Sequence, residues 1–450
     1  MNKIYLRGYI DYNNEKYTFV YEDKKLTLMA VENKFTFFKE YKYVKEFNGI
    51  TEERYNVIFY IDDNIYYKNG CYICSPVCIL ISLNTNYSIV DLKIDTLNFS
   101  GGIINRFYSN QKMISFNLKE NRRPNFKKVE ETISKENVIL NKNELIFELS
   151  ISEPGWKNDG IITFDNYNSL LKVKYSHKKD YDSVIDDIRT INTFFEVCSN
   201  RKNISYDDVF LETKDCNGKN IMIAKIILPY MEVLDTTKEM LDYDILKNHL
   251  SNMFEFLDKC NYIASGIPDQ ENEMTFLRVR DYCYMFSCFE GIYEYIHSNN
   301  KENTTKEDTK LEDVKKEILP LLVILDEKYK GVDGTKRKFI KRFMNIIANA
   351  NLKLEKCINN ELKENEFVLN SIYYTLREDI ESNGISNSIS KAIKDRDNIT
   401  HSHIVKLDNI SLGIYELLRK LNYVMMLQCI GLSKEIYSEK IMFLGMNGII

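Results

Sequence analysis

The sequence predicts an α+β protein in two parts: a β-rich first half, sandwich or barrel-like, followed by an all-α helical bundle. Two observations carry this. Apolar and polar residues alternate in short runs up to about residue 230, and from about Asp242 the apolar spacing becomes helical. At 450 residues the chain is too long for one ordinary core. The change of period sets the expected domains at 1–235 and 236–450.

In the first half, Ile114, Phe116 and Leu118 alternate with polar residues, as do Leu92 and Ile94, and Leu171, Val173 and Tyr175. Turn signals separate such runs at Asn13-Asn14, Asp62-Asp63-Asn64, Gly101-Gly102, Pro154-Gly155 and Asp159-Gly160. One helix interrupts the strands. Asp182 or Ser183 is expected to cap it, and Val184, Ile188, Ile191, Phe195 and Cys198 form its apolar stripe. Strand-like segments follow near Asp208–Leu211 and Ile221–Leu228, the last stopped by Pro229.

In the second half, Phe276–His297 reads as a helix with a stripe of Phe276, Val279, Cys283, Phe286 and Tyr293. Ile410–Ile430 repeats the pattern through Ile414, Leu417, Leu421, Val424 and Met425, with Gly431 as a natural stop. Between them Ser298–Lys310 is polar and reads as an exposed insertion.

Composition narrows the function classes. The formal net charge of −5 argues against a surface that is basic throughout, so any nucleic-acid contact must use a local patch. The first residues alternate and lack a continuous apolar core, unlike a signal peptide. The runs near Val77–Leu83 and Ile318–Leu325 fall short of the roughly 20 residues of a membrane span. A cytoplasmic protein without membrane contact is expected, its ten cysteines serving as buried thiols. Cys71, Cys74 and Cys78 are half of a zinc ligand set with nothing nearby to complete it, so no metal or other cofactor is expected. The phosphate-loop, dinucleotide, zinc-protease and nucleophile-elbow motifs are all absent. Trp156, the single tryptophan, sits in a turn, either as an exposed recognition residue or as a cover on the β core.

Of five histidines, two fall together in Lys394-Asp395-Arg396-Asp397-Asn398-Ile399-Thr400-His401-Ser402-His403. This segment follows an amphipathic run of Ile385, Ile389, Ala392 and Ile393 and precedes the last long helix. An imidazole can take the proton of a ribose 2′-hydroxyl or protonate the leaving oxygen. A guanidinium can hold the phosphate as charge grows on it. RNA brings its own nucleophile, so such a pair suffices without metal. Five helical steps turn Arg396 and His401 about 140° apart, so one straight helix does not aim both at one phosphate. The plain alternative is a solvated helix end with surface ion pairs among Asp395, Arg396 and Asp397.

The segment resembles the signature of the HEPN superfamily, an arginine, a polar neighbour and a histidine four to six residues further on. Its surroundings resemble the Apea-like branch. Phe289-Glu290 in FSCFEGIYEY matches that branch's upstream Phe/Leu-Glu pair, and Gly431-Leu432-Ser433 matches the turn closing its last long helix. The β-rich half resembles, by architecture, the N-terminal domain of anti-phage defence proteins of this branch. The resemblance implies a HEPN helical bundle after a β-rich recognition or regulatory domain. It implies a metal-independent endoribonuclease acting by abortive infection on host or phage RNA such as tRNA, under a phage-derived trigger. It also implies a site formed where two HEPN domains pair, in a homodimer or higher homo-oligomer. Arg396 then stabilises the phosphate and His401 is the acid/base. Asp397 replaces the more frequent Asn and orients Arg396 or the imidazole. His403 also satisfies the looser spacing. The alternative in another class is an inactive scaffold that binds RNA or a partner and whose β domain senses a phage component.

Two further groups bear on this reading. Glu290 falls on the apolar stripe of its helix, which calls for a partner, either an internal hydrogen-bond donor or Arg396. Lys336, Arg337, Lys338, Lys341 and Arg342 flank Phe339 and Ile340. A helix there would turn Phe339, Phe343 and Ile347 inward and the cations outward, as a track for an RNA backbone or simply a solvated face.

Overall fold

Alternation in the first half becomes strands and the helical spacing of the second half becomes helices in the computed structural model of the chain. The structure describes residues 4–13, 15–31, 45–61, 65–85, 93–109, 114–118, 124–128, 134–141, 143–151, 168–202, 204–228, 240–267, 279–299, 306–348, 354–401 and 406–443. Outside them lie Trp156, Phe276, Pro229, His403 and the turn signals at Asp62-Asp63-Asn64, Pro154-Gly155 and Asp159-Gly160. The chain divides into two compact units, Met1–Gln270 and Glu271–Ile450.

The first unit contains β1 (Leu6–Tyr12), β2 (Glu15–Glu22), β3 (Lys25–Ala30), β4 (Glu46–Thr51), β5 (Asn56–Ile61), β6 (Tyr66–Lys68), β7 (Cys71–Cys74) and β8 (Pro76–Ser82). After these come β9 (Ile94–Ser100), β10 (Ile114–Leu118), β11 (Pro124–Lys128), β12 (Ser134–Leu140), β13 (Asn143–Ile151), β14 (Ser169–Lys179), β15 (Asp208–Lys214) and β16 (Asn220–Ile227). Fourteen of them form one antiparallel sheet in the order β12-β13-β14-β9-β15-β16-β8-β5-β4-β1-β2-β3-β7-β6, and β10 pairs with β11 separately.

The sheet curls. Phe19 on β2 and Phe59 on β5 are three strand positions apart, roughly 14 Å in a flat sheet, yet their ring centroids stand 5.1 Å apart, edge to face. Ile10, Leu26, Leu28, Phe47 and Ile79 close the core inside that curl. Gly8 allows β4 to approach β1, since a Cβ there would lie 2.1 Å from the Ile50 carbonyl oxygen.

A second core lies under α2 (Tyr181–Ser199). Its predicted stripe is fully buried, and Phe194 stacks on Phe254 at 4.8 Å. The cap differs from expectation: the N-cap is Asp180, so the helix begins earlier and Asp182 lies in its first turn. Asp182 accepts a hydrogen bond from Tyr60 instead. The short α1 (Ile103–Phe107), α3 (Tyr243–Leu246) and α4 (Leu250–Lys259) complete the unit. The helical period begins at α3, whose N-cap Asp242 accepts from the Ile245 N–H. Yet α4 packs on β12, and Ser251 Oγ donates to the Asn137 carbonyl at 2.9 Å. The first compact unit therefore extends past the change of period.

All ten cysteines are free thiols. Cys71 and Cys74 stand on opposite faces of β7, since side chains three apart in a strand diverge. Among the described residues no cluster of metal-ligating side chains is present, and no helix is long and apolar enough to cross a membrane.

The second unit is helical: α5 (Val279–Asn299), α6 (Lys306–Lys328), α7 (Gly334–Ala348), α8 (Leu354–Glu364), α9 (Phe367–Asn370), α10 (Tyr374–Asn383), α11 (Ile385–Thr400), α12 (Asn409–Cys429) and α13 (Lys434–Phe443). The polar stretch expected as an insertion is helical from Lys306 onward, as the start of α6. The central element is α12, packed by α5, α9, α10, α11 and α13. It is buried all round, including Glu416, Arg419 and Lys420. Gly413 lets it approach α10, for a Cβ there would meet Ile380 at 2.7 Å.

The helix stops as expected. Gly431 takes φ +92°, and the Leu432 N–H returns to the Leu427 carbonyl at 3.0 Å.

Candidate functional site

The motif segment forms the last turns of α11. Ile389 and Ala392 are its fully buried anchors, and the Tyr282 hydroxyl of α5 donates to the Ala392 carbonyl at 2.9 Å. A polar clasp joins the helix to the start of α12. Asp408 caps α12 by accepting from the Ser411 N–H at 3.1 Å, and Ser411 Oγ donates to Asp395 at 2.6 Å. Lys391 pairs with Asp408. Burial would raise the Asp408 carboxyl, but the hydrogen bonds from Lys391 and Ser411 outweigh it and hold the group below its ordinary range.

On this frame the guanidinium of Arg396 is fixed from three sides. Nη1 donates to Glu290 Oε2 at 3.2 Å, and Nε and Nη2 donate to Asp397 Oδ1 at 3.1 and 3.0 Å. The group stands 5.7 Å from the ring centroid of Phe286. Its side chain is 22% exposed and that of Glu290 48%. Cys283 lies beside them. Burial pushes its thiol up, Arg396 opposes that shift and Asp397 adds to it.

Glu290 corrects the expected register of α5. The buried face runs through Tyr282, Met285, Phe286, Phe289 and Ile292, while Val279 is exposed and Cys283 only half-buried. Of the predicted stripe Phe286 lies on the buried face, Val279 and Cys283 turn off it, and Glu290 belongs to the rim. Of its two anticipated partners it takes Arg396.

His401 is the C-cap of α11 with φ −90° and ψ 18°, its N–H returning to the Asp397 carbonyl at 3.1 Å. The ring is exposed, and among the described residues it has no hydrogen-bond or ion-pair partner. The helix is continuous from Arg396 to Thr400, so the divergence expected from helical steps is not removed by a distortion. Within one chain, Arg396 faces α5 while His401 stands at the helix end, and no hydrogen bond joins them. Sequence reasoning placed Phe286 on the apolar stripe but gave it no part in the site, where its ring stands beside Arg396. Its signal was the four-residue spacing from Glu290, which places both on one side of α5.

The basic segment differs from expectation. It forms α7, but Phe339 and Phe343 are exposed, and Arg337 turns toward α6 to pair with Asp326 at 3.0 and 3.2 Å. Lys336 pairs with Asp333 at 3.5 Å. Lys338, Lys341 and Arg342 are exposed, and Lys341 acts through space on Asp326. A half-buried Arg337 draws the helix round, because burying an unpaired guanidinium would be costly and Asp326 satisfies it.

The chain matches no family model, no curated protein and no solved structure.

Proposed function

We propose that the chain is a metal-independent endoribonuclease of HEPN type, with Arg396 and His401 as its reactive pair and RNA, tRNA among the candidates, as substrate. The observation that carries this is the end of α11: a guanidinium oriented by Glu290 and Asp397 and, five residues on, an exposed imidazole without a hydrogen-bond or ion-pair partner among the described residues.

In this reaction the 2′-oxygen attacks the adjacent phosphorus, the bond from phosphorus to the 5′-oxygen breaks, and a 2′,3′-cyclic phosphate forms. One imidazole accepts the 2′-hydroxyl proton and another group protonates the departing 5′-oxygen. Arg396 offers its fork to the phosphate oxygens by exchanging a carboxylate, and the exposed Glu290 is the easier one to displace. Since one chain does not bring Arg396 and His401 to one point, a second copy completes the site. An antiviral role triggered by a phage component follows from the resemblance. Loss of RNA cleavage in both His401→Ala and Arg396→Ala, with unchanged melting, is the expected result. Full cleavage by both variants overturns the assignment.

A second reading is an inactive scaffold that binds a partner. Two observations favour it: three of the five Arg396 N–H donors are already engaged, and the first unit has a groove of about 760 Å³ lined by Ile139, Ile146, Lys174, Tyr175, Glu255 and Lys259 among others. Wild-type chain without cleavage of any RNA would favour this reading.

A further inference from the structure

The apolar faces of α11 and α12 are taken up by the second unit's own core: Ile389, Ala392, Ile414, Leu417, Leu421 and Val424 are fully buried. They leave little with which to hold another chain. The hairpin of α6 and α7 is different. Its helices pack chiefly against each other, through Ile318, Leu322 and Asp326 on one and Arg337, Ile340 and Met344 on the other, all half-buried. Helical steps of 100° then place five exposed apolar side chains on one side of the hairpin. These are Val314, Leu321 and Leu325 of α6 and Phe339 and Phe343 of α7, with Leu321 59%, Phe339 54% and Phe343 55% exposed.

We infer that this face of the α6–α7 hairpin is the surface on which a second copy of the chain docks, hairpin on hairpin, in a two-fold four-helix arrangement.

Charge selects the occupant and the orientation. The α7 segment carries five basic residues and no acidic one, and α6 carries seven acidic against five basic. Pairing α7 with α7 would oppose like charges. Pairing α7 of one copy with α6 of the other brings opposite charges together, and a two-fold axis parallel to the helices does this. Given the antiparallel register set by Arg337 and Asp326, that axis brings Phe343 of one copy to the level of Leu321 of the other. Phe339 then meets Leu325, and Arg342 comes within reach of the exposed Glu317 along the same edge. The acidic residues of α6 disfavour an anionic membrane or a nucleic-acid strand lying across the whole face.

Area is sufficient. A buried phenylalanine covers about 150–250 Å², so two that are half-exposed offer on the order of 200 Å². With the three aliphatic side chains and flanking lysine stems the face reaches on the order of 500 Å². Two such faces total on the order of 1,000 Å², the lower limit for a specific interface. The interface stands on exposure and charge and is independent of the ribonuclease reading.

The test is sedimentation equilibrium of the full chain from about 1 to 50 µM. The wild type is expected to be a dimer. Leu321→Glu and Phe343→Glu are each expected to weaken pairing about 100-fold or more, with far-UV circular dichroism unchanged because both side chains are exposed in the single chain. Glu317→Arg and Arg342→Glu are each expected to weaken the dimer, and the double reversal to recover it. A monomeric wild type at about 50 µM overturns the proposal, as does wild-type pairing by both apolar variants. A monomer that binds single-stranded RNA or anionic vesicles through Phe339 and Phe343 assigns the face to another occupant and overturns it too. Cleavage is read separately on the same samples. A dimeric chain that cuts no RNA would end the ribonuclease reading and leave the interface standing.

Discussion

Arg396 is held by two carboxylates of unequal standing. Asp397 is its sequence neighbour and takes two of its nitrogens through one oxygen, while Glu290 reaches from α5 and is half-exposed. An exposed pair of this kind contributes on the order of 1 kcal/mol or less to stability, so its effect lies in aiming the fork. A lysine carries the charge but not the planar fork. Arg396→Lys is therefore expected to retain less than about 1% of cleavage, read as initial rate on a defined RNA, with melting within about 2 °C of wild type; activity near wild type would show that charge alone suffices. Asp397→Asn keeps an oxygen acceptor for Arg396 and is expected to stay within about tenfold of wild-type rate. A hundredfold loss would instead make the carboxylate itself part of the proton transfer. The arginine, its acidic neighbour and the histidine were legible from spacing. The exposure of Glu290 was not, because the stripe was drawn through Val279 and Cys283. The packing of Tyr282, Met285 and Phe289 rotates α5 away from that line.

Among the elements, α12 shows what a helix buried on every side does to its charges. Glu416 holds Arg419 through two hydrogen bonds at 2.9 and 2.7 Å. Lys420, 3% exposed, donates to the Ser371 carbonyl and lies 3.7 Å from Glu416. Burial lowers the Lys420 ammonium to about 8, with Glu416 opposing the shift. The sign of the linkage follows. Below pH 8 both folded and unfolded chains hold the proton, and the folded state bears the cost of burying the charge. Between about 8 and 10.5 the folded state releases it while the unfolded state keeps it, so stability rises with pH across that window. A shift of this size corresponds to about 3 kcal/mol. Urea unfolding of wild type and Lys420→Met between pH 7 and 10.5 is expected to show the wild type gaining about that much relative to the variant. Parallel curves would contradict a lowered ammonium. The helix itself, its stripe and its glycine stop were all readable from the sequence. Its near-complete burial was less so, because Glu416, Arg419 and Lys420 mimic a solvated face until Ser371 and neighbouring helices supply partners. The same limit applied to α7, where the aromatic residues looked like the inward side and Asp326 drew Arg337 there instead.

At the scale of the molecule, the alternation and helical periods separated a strand-built first unit from a helical second one. The single curled sheet was harder to read, because strand order depends on pairings such as β9 between β14 and β15 that join segments far apart in sequence. The acidic net charge makes any RNA contact local, and the exposed cations Lys338, Lys341 and Arg342 stand on the hairpin proposed for pairing. In the proposed reading, substrate chemistry falls at the end of α11 and chain pairing on α6 and α7, two surfaces of one unit. The most direct measurement of the proposed activity is incubation of the purified full chain with tRNA and ribosomal RNA in excess EDTA, followed by analysis of the new RNA ends. Cleavage is expected to survive EDTA, to leave 2′,3′-cyclic phosphate or its 3′-phosphate product, and to disappear in His401→Ala. Cleavage that stops when divalent metal is removed, or that leaves 5′-phosphate and 3′-hydroxyl ends, would contradict the proposed activity.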